Sequence, residues 1–366
     1  MASSRRDFLK ESVVLASVVA TPGLLGGCAS VGAAEPPAHR VKVGLVGTAH
    51  PHALGKLEAL LKLPDLYEVV GVVEPDERLR QALARQSQFA TVRVLTEEQL
   101  LNVPGVEAAL VETQVKDVVP TATRLAGAGL HIHAEKPGGS SLPAFARLLD
   151  IVRQKGRVFQ SGYMLRRNPA FEFCAKAVRD GLLGEIYEID GVMGKIVDPA
   201  ERKGLAAFSG GMMFELAAHL IDATLGLLGK PQAVHSFLRV THPEMDALAD
   251  NTLAVFEYPK ALATIRSSAN DVVGGHRRTF AVHGDRGAAV ILPLEAPKLT
   301  LTLCKAQGAY KAGTQPIELR NMPGRYDDQL ADFARIIRGE KELDVKPEHD
   351  LAVLETILRA SGMPLE

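Results

Sequence analysis

A glutamate and a histidine four residues apart form the most chemically suggestive pair in the sequence. Glu215 and His219 fall in a predicted helix, where residues four apart lie on one face. We therefore expect the two side chains to hydrogen-bond each other, so that the carboxylate orients the imidazole and stabilises its protonated form. Gly210 and Gly211, at the start of this helix, would let it approach a flat ring closely. The alternative is a core histidine satisfied by Glu215.

The N-terminal half has the order of elements of a dinucleotide-binding unit. An apolar strand over residues 41–46 runs into a turn at Gly47, helical spacing follows over Leu57–Leu63, and a second apolar strand, Glu68–Val73, ends at Glu74. In this βαβ order a pyrophosphate rests on the N-terminus of the helix. The sequence therefore predicts a nucleotide cofactor at this turn.

The glycine pattern of that turn is irregular. Counting from Gly47, Ala49 and His52 occupy the second and third glycine positions. Alanine still allows a close approach to a pyrophosphate, whereas histidine must change the packing of helix against strand. We nevertheless predict that Gly47, Thr48, Ala49 and His50 contact the cofactor.

Glu74 sets the expected choice between the two nicotinamide dinucleotides. A carboxylate at the end of the second strand can bond the ribose hydroxyls and would repel a 2′-phosphate. NAD is therefore favoured, and NADP remains an alternative because Arg78 and Arg80 follow closely. The competing interpretation of Glu74 is a solvated loop acid.

His50 and His52 also raise the question of a metal site. No further histidine or carboxylate stands at ligand spacing near them in the sequence. We therefore predict no metal ion and assign both imidazoles to hydrogen bonding near the cofactor.

Strands continue to alternate with helices up to about residue 160. This alternation predicts an α/β fold with an N-terminal Rossmann domain, a doubly wound parallel sheet. The further predicted elements are strands at Val92–Leu95, Ala108–Val111 and His131–Ala134 and a helix at Val118–Ala128.

Short motifs follow one another in a definite order between residues 40 and 360. They are Glu135-Lys136-Pro137, Ser161-Gly162-Tyr163, Asn168-Pro169-Ala170-Phe171, Gly184-Glu185-Ile186, Gly210-Gly211 with Glu215, His219 and Asp222, and His283-Gly284-Asp285-Arg286-Gly287. This ordered set resembles the glucose–fructose oxidoreductase / inositol dehydrogenase (Gfo/Idh/MocA) family.

The resemblance implies roles for individual residues. Lys136 would contact both the nicotinamide region and the substrate hydroxyl, where a lysine can stabilise a developing alkoxide. Glu215 and His219 would stand at the family's catalytic pair. The other implied contacts are Thr113, Glu135 and Pro137 with the cofactor, and Tyr163 and Arg166 with the substrate.

Because the sequence departs from the family pattern at three places, the family's substrate cannot be assigned to this protein. Glu215 replaces the usual Asp, Thr113-Gln114-Val115 replaces Thr-Pro-Asn, and Met164 stands where a polar residue is frequent. Arg166 would bind an acidic group of the substrate, or alternatively it caps its own loop.

The second half of the sequence predicts an α+β domain with a large, open and mainly antiparallel sheet. One face should cover the helix that carries Glu215, and the other would be an interface in a homo-oligomer, as in the family. The predicted strands are Ala233–Val240, Thr252–Tyr258, Ala261–Ser267, Thr279–His283, Ala288–Ile291 and Lys298–Cys304. Two helices, Tyr326–Ile337 and His349–Ser361, should pack back on the first domain. The expected division is residues 1–40, 41–160, 161–325 and 326–366.

The first forty residues predict export. The paired Arg5 and Arg6 precede an apolar run from Val13 to Leu25, as in a twin-arginine signal. Leu25-Gly26-Gly27-Cys28 resembles a lipobox, so Cys28 would carry a lipid that anchors the protein to a membrane; cleavage after Ala34 is the alternative. We expect a periplasmic protein.

Composition narrows the class of partner. The net charge of −1 gives no basic field for nucleic acid. The leading interpretation is an exported NAD(P)-dependent oxidoreductase that holds its cofactor tightly and acts on a secondary hydroxyl or ketone of a small sugar, polyol or glycoside. An NAD-assisted glycosidase or lyase and a non-catalytic Rossmann-fold binding protein are the alternatives.

Overall fold

The computed structural model describes residues 39–366. Arg5, Arg6 and Cys28 lie outside the described residues, so the export signal and the lipid remain predictions. Among residues 39–366, no helix combines the length and the apolar character needed to cross a membrane.

The first sheet has six parallel strands in the order β3-β2-β1-β4-β5-β6. The strands are β1 (Val41–Val46), β2 (Tyr67–Val73), β3 (Val94–Leu95), β4 (Ala108–Val111), β5 (His131–Ala134) and β6 (Phe159–Ser161). The central β4 is buried along its whole length, as its apolar sequence requires in a sheet covered on both faces. Strand order reverses between β1 and β4, which opens a crevice at their carboxyl ends. The predicted Rossmann sheet is confirmed.

Helices cover this sheet. They are α1 (Ala53–Leu61), α2 (Glu77–Ala84), α3 (Glu97–Leu101), α4 (Val115–Gly127) and α5 (Leu142–Gln154). Helix α1 begins four residues before the predicted start at Leu57, because Ala53 already packs in the core. The cofactor turn therefore runs directly into the helix, and His52 is its N-cap residue.

The second sheet has eight strands in the order β14-β13-β12-β11-β7-β10-β9-β8, and only β7 and β10 pair in parallel. The strands are β7 (Ile186–Gly194), β8 (Ala233–Arg239), β9 (Asn251–Glu257), β10 (Leu262–Ser268), β11 (Thr279–Gly284), β12 (Gly287–Ile291), β13 (Leu299–Leu303) and β14 (Gly313–Ile317). The predicted, mainly antiparallel sheet is confirmed. Strand β14 was not predicted, because it is an edge strand that contains Pro316 and buries little apolar surface.

Six helices complete the described chain. They are α6 (Pro169–Arg179), α7 (Pro199–Leu205), α8 (Gly211–Glu215), α9 (Ala218–Leu228), α10 (Asp327–Ile337) and α11 (Pro347–Ala360). Both sheets belong to one compact unit. Helix α9 packs on β7 and β10, and α10 packs on α1. The Tyr67 hydroxyl donates to the Leu330 carbonyl (2.5 Å) and the Gln329 amide to the Ser161 carbonyl (2.8 Å). Lys136, just after β5, bonds to the Glu215 carbonyl at the end of α8, so α8 lies at the carboxyl edge of the first sheet.

Candidate active site

The predicted helix that should carry both Glu215 and His219 is broken between them. Glu215 ends α8, whereas His219 lies in α9. The Ala217 amide bonds to the Met212 carbonyl five residues back, which widens the last turn and redirects the chain. No hydrogen bond joins Glu215 to His219, so the prediction that the two side chains bond on one helix face is wrong.

Glu215 instead pairs with Lys136. The Lys136 ammonium, which is 2% exposed, donates to Glu215 Oε1 and to the Glu215 carbonyl, the latter at 3.1 Å. Burial alone would raise the pKa of Glu215, but the charge and hydrogen bond of Lys136 outweigh it and lower that pKa to about 2. The carboxylate is therefore ionised at neutral pH. Pro137 follows Lys136 through a cis peptide bond.

His219 lies in the same cleft as an uncommitted imidazole. Its ring is 1% exposed and stands edge-on to the Tyr163 ring, with the centroids 5.9 Å apart. Burial lowers the pKa of His219 well below its usual value, and the charges of Lys136 and His52 act in the same direction. Nδ1 has no hydrogen-bond partner among the described residues. The imidazole is therefore neutral and not tied to a structural role.

The cofactor turn fits a dinucleotide. Gly47 has a φ of 86°, and a Cβ there would lie 2.7 Å from Thr113 Cγ2, so a side chain would displace the β4 end of the crevice. Glu74 closes the turn from the end of β2: its Oε2 accepts from the Thr48 amide (2.6 Å) and hydroxyl (2.7 Å). Together with the small Ala49, these residues keep the geometry that a pyrophosphate and a ribose require.

Arg80, at this end of the crevice, already has hydrogen-bond partners within the protein. Its guanidinium donates to the carbonyls of Glu74 (2.7 Å) and Pro75 (2.8 Å) and pairs with Glu77. Arg78 therefore remains the cation available to a 2′-phosphate.

The two histidines of the turn meet Glu135. His52 Nδ1 lies 3.2 Å and His50 Nδ1 lies 3.8 Å from Glu135 Oε2. No carboxylate stands at ligand spacing to these histidines in the sequence, but the end of β5 brings Glu135 to them across the crevice. Burial lowers the pKa of His50 to about 3, against the opposing charge of Glu135.

Two residues of this cluster, Lys56 and Glu112, were not predicted from the sequence. Lys56, on α1, is fully buried and donates to Glu112 Oε1 (2.7 Å) and Glu135 Oε2 (2.5 Å). Gly162 makes room for it, since a Cβ there would lie 3.0 Å from Lys56 Nζ. A signal was available in the sequence: Lys56 lies between apolar residues of α1 and Glu112 directly follows the apolar β4, and a buried charge requires a partner.

Arg166 is paired with carboxylates of α9 and α11, and its guanidinium lies 4.8 Å from the centre of the Tyr163 ring. Its guanidinium binds Asp222 with two nitrogens and reaches Asp350 at 2.6 Å, while His349 Nε2 lies 3.1 Å from Asp222. These carboxylates already satisfy its charge. Arg166 thus joins α9 to α11, and its contact with the substrate stays a prediction.

Two family models match the chain. Residues 41–163 match the model described as "Oxidoreductase family, NAD-binding Rossmann fold", and residues 171–290 match the "GFO/IDH/MocA C-terminal domain". Together the two matches span about two thirds of the chain, and they follow the order in which the two sheets occur.

Three individual proteins illustrate the similarity. An uncharacterized oxidoreductase of Rhizobium meliloti, ORF334, is 29% identical over 185 residues, 50% of this chain and 54% of the relative, so the match spans about half the relative's length. Levoglucosan dehydrogenase of Pseudarthrobacter phenanthrenivorans is 26% identical over 281 residues, 68% of this chain and 71% of the relative. The crystal structure of aldose-aldose oxidoreductase from Caulobacter crescentus, complexed with glycerol, has a TM-score of 0.75 at 20% identity and covers 88% of this chain and 98% of its own. This last likeness shows a shared fold.

Proposed function

Because this chain belongs to the Gfo/Idh/MocA family of NAD-binding oxidoreductases, we propose that it interconverts a secondary hydroxyl and a ketone on a sugar, polyol or glycoside. The observation that carries the proposal is the pairing of Lys136 with Glu215 beside a neutral, uncommitted His219. The names of two similar proteins, levoglucosan dehydrogenase and aldose-aldose oxidoreductase, support a carbohydrate.

The nicotinamide of the bound cofactor supplies the chemistry of hydride transfer. The protein's own residues handle the charge on oxygen. Lys136, fixed by Glu215, places an ammonium where a hydroxyl oxygen gains negative charge as it loses its proton. Held in a cleft that excludes water, this charge acts more strongly than it would in solvent.

His219 is the proton acceptor in this proposal. A neutral imidazole can take the proton of the substrate hydroxyl onto a ring nitrogen and return it in the reverse direction. Tyr163 supports the ring edge-on, which limits its rotation. The Lys136–Glu215 pair therefore stabilises charge, whereas His219 moves the proton.

A cofactor spectrum of the purified protein tests this assignment. We expect bound dinucleotide that one sugar reduces and a second sugar or its ketone reoxidises. Release of an aglycone without net redox change would point to redox-assisted cleavage instead. If the protein binds no dinucleotide even when it is made without export, the non-catalytic alternative holds.

We further propose that the enzyme works outside the cytoplasm with a retained cofactor. The support is the sequence of Arg5, Arg6 and the apolar run that follows them. Changing both arginines to lysine should leave the protein in the cytoplasm, and unchanged export would refute a twin-arginine route. Cys28→Ser should release the protein from the membrane fraction; a wild-type protein that is already soluble would exclude the lipid.

A further inference from the structure

We propose that His50, His52 and Glu135 form a binding site for a divalent transition-metal ion, with Zn²⁺ the best match to the ligand set. The site lies at the carboxyl edge of the first sheet, where α1 begins. The proposal goes beyond the oxidoreductase function, because Lys136 and His219 need no metal for their proposed roles.

The three side chains already have ligand spacing. One ligand atom from each residue lies within 4.8 Å of the other two. Tetrahedral zinc with bonds of about 2.0–2.1 Å places its ligand atoms roughly 3.3 Å apart. The distances from Glu135 Oε2 to the two Nδ1 atoms, 3.2 and 3.8 Å, lie on either side of that value. These two distances suit a metal ion, and the imidazole nitrogens, which lie no more than 4.8 Å apart, would move towards each other on binding.

The donor set suits zinc and leaves a position open. Two imidazoles and one carboxylate are the protein ligands of several catalytic zinc sites, in which water or substrate takes the fourth position. Neutral imidazole, carboxylate and a buried setting favour Zn²⁺ over Mg²⁺ or Ca²⁺, which prefer an all-oxygen shell. One metal with a free coordination position is therefore the expected occupant.

A second layer of residues supports the carboxylate. Lys56 donates to Glu135 Oε2, and Glu112 takes the other side of the same ammonium. Carboxylate ligands of metal sites are commonly held by such outer hydrogen bonds. Glu112 lies beside Glu135, and burial together with the charge of Glu135 raises the pKa of Glu112 to about 8, so the two carboxyl groups can share a proton until a metal ion binds.

The cluster also has an explanation without metal. The His52 amide donates to His50 Nδ1 at 3.2 Å, and His52 Nδ1 lies within hydrogen-bond distance of Glu135. Metal binding has to replace these two contacts or use the other ring nitrogens. If the cluster is only a hydrogen-bond network, the protein will not bind added metal specifically. Metal binding therefore distinguishes the two explanations.

Calorimetric titration of chelator-treated, full-length protein with Zn²⁺ alone tests the site. We expect one equivalent to bind, and X-ray absorption should show two imidazole nitrogens and carboxylate or water oxygen. The double variant His50→Ala/His52→Ala should bind no specific equivalent, and Glu135→Ala, which removes the third ligand, should weaken binding strongly. His235→Ala, on exposed β8, is the matched control and should bind as the wild type does.

A wild-type protein that binds Zn²⁺ no better than the folded double variant overturns the proposal. Circular dichroism of each variant establishes folding, and NAD affinity is measured on the same samples. NAD binding without zinc binding defeats the metal site alone. Zinc binding by a protein that holds no dinucleotide and turns over no sugar defeats the oxidoreductase assignment alone.

Discussion

Two buried charge clusters meet at α9, through His219 and Asp222, and differ in how fully their polar atoms are paired. In the cluster of Arg166, Asp222 and Asp350, every buried side-chain nitrogen and oxygen has a partner. The cleft that holds Lys136 and His219 has four buried polar atoms without one: Glu112 Oε2, Glu135 Oε1, Glu215 Oε2 and His219 Nδ1. Only seven such atoms occur among the described residues.

This difference distinguishes a cluster that stabilises the fold from one that can bind other molecules. An unpaired buried polar group costs about 1–3 kcal/mol, so a chain selected for stability alone would pair these atoms. Glu112 and Glu135 can share a proton, since burial and the charge of Glu135 raise the pKa of Glu112 to about 8. Glu215 Oε2 and His219 Nδ1 then remain as the atoms that a bound molecule would complete. The Arg166 cluster, by contrast, is complete within the protein and holds α9 in place.

Arg166→Met should give the largest loss of stability. Removing the guanidinium leaves Asp222 and Asp350 buried without their cation, which costs about 3–5 kcal/mol. Urea unfolding would measure this loss, while the remaining folded enzyme should keep its KM. The extrapolation of urea data to water carries an uncertainty of about 1 kcal/mol. An unfolding free energy that differs from the wild-type value by no more than this would mean that the cluster is not the support we describe.

Glu215 allows a graded test within the cleft. Glu215→Asp restores the residue usual in the family but withdraws the carboxylate by more than an ångström from Lys136. A displacement of about 1 Å can cost roughly a hundredfold in rate, so we expect kcat to fall by about that factor with the cofactor still bound. Near-normal turnover would show that the pocket tolerates either length and that the ion pair is not tightly positioned.

Acid sensitivity should differ between wild type and Glu215→Gln. The pKa of Glu215 is about 2 in the folded protein against an ordinary 4.5, because Lys136 outweighs the effect of burial. A depressed pKa stabilises the fold above the ordinary value, and this contribution is lost as the pH falls from about 4.5 towards 2. The gap in unfolding free energy between the two proteins should therefore shrink over that range. A gap independent of pH would contradict the ion pair.

Cofactor preference should show the smallest effect. We expect wild type to bind NAD more tightly than NADP, since Glu74 stands at the end of β2 and Arg80 is held by backbone carbonyls. Glu74→Ser should narrow the ratio of the two dissociation constants. Equal affinities in the wild type would show that Arg78 dominates the ribose end.

Local sequence patterns predicted the framework well and the contacts between distant segments poorly. The apolar runs at Val41–Val46 and Ala108–Val111 required buried parallel strands, and the order of motifs indicated the second sheet. The partner of Glu215 could not be read from spacing, because a widened turn at Ala217 rotates it towards Lys136, 79 residues earlier. Glu135 likewise reaches His52 only through the parallel pairing of β1, β4 and β5.

The most direct test of the catalytic assignment is steady-state turnover of Lys136→Met and His219→Ala on the sugar that reduces the bound cofactor. Loss of the charge stabiliser should lower kcat about 10²- to 10³-fold, and loss of the proton acceptor about 10²- to 10⁴-fold. Both variants should still fold and retain dinucleotide. The surface variants Lys260→Met and His235→Ala should behave as wild type. Full turnover in both cleft variants would contradict the account and reduce the relationship to one of fold.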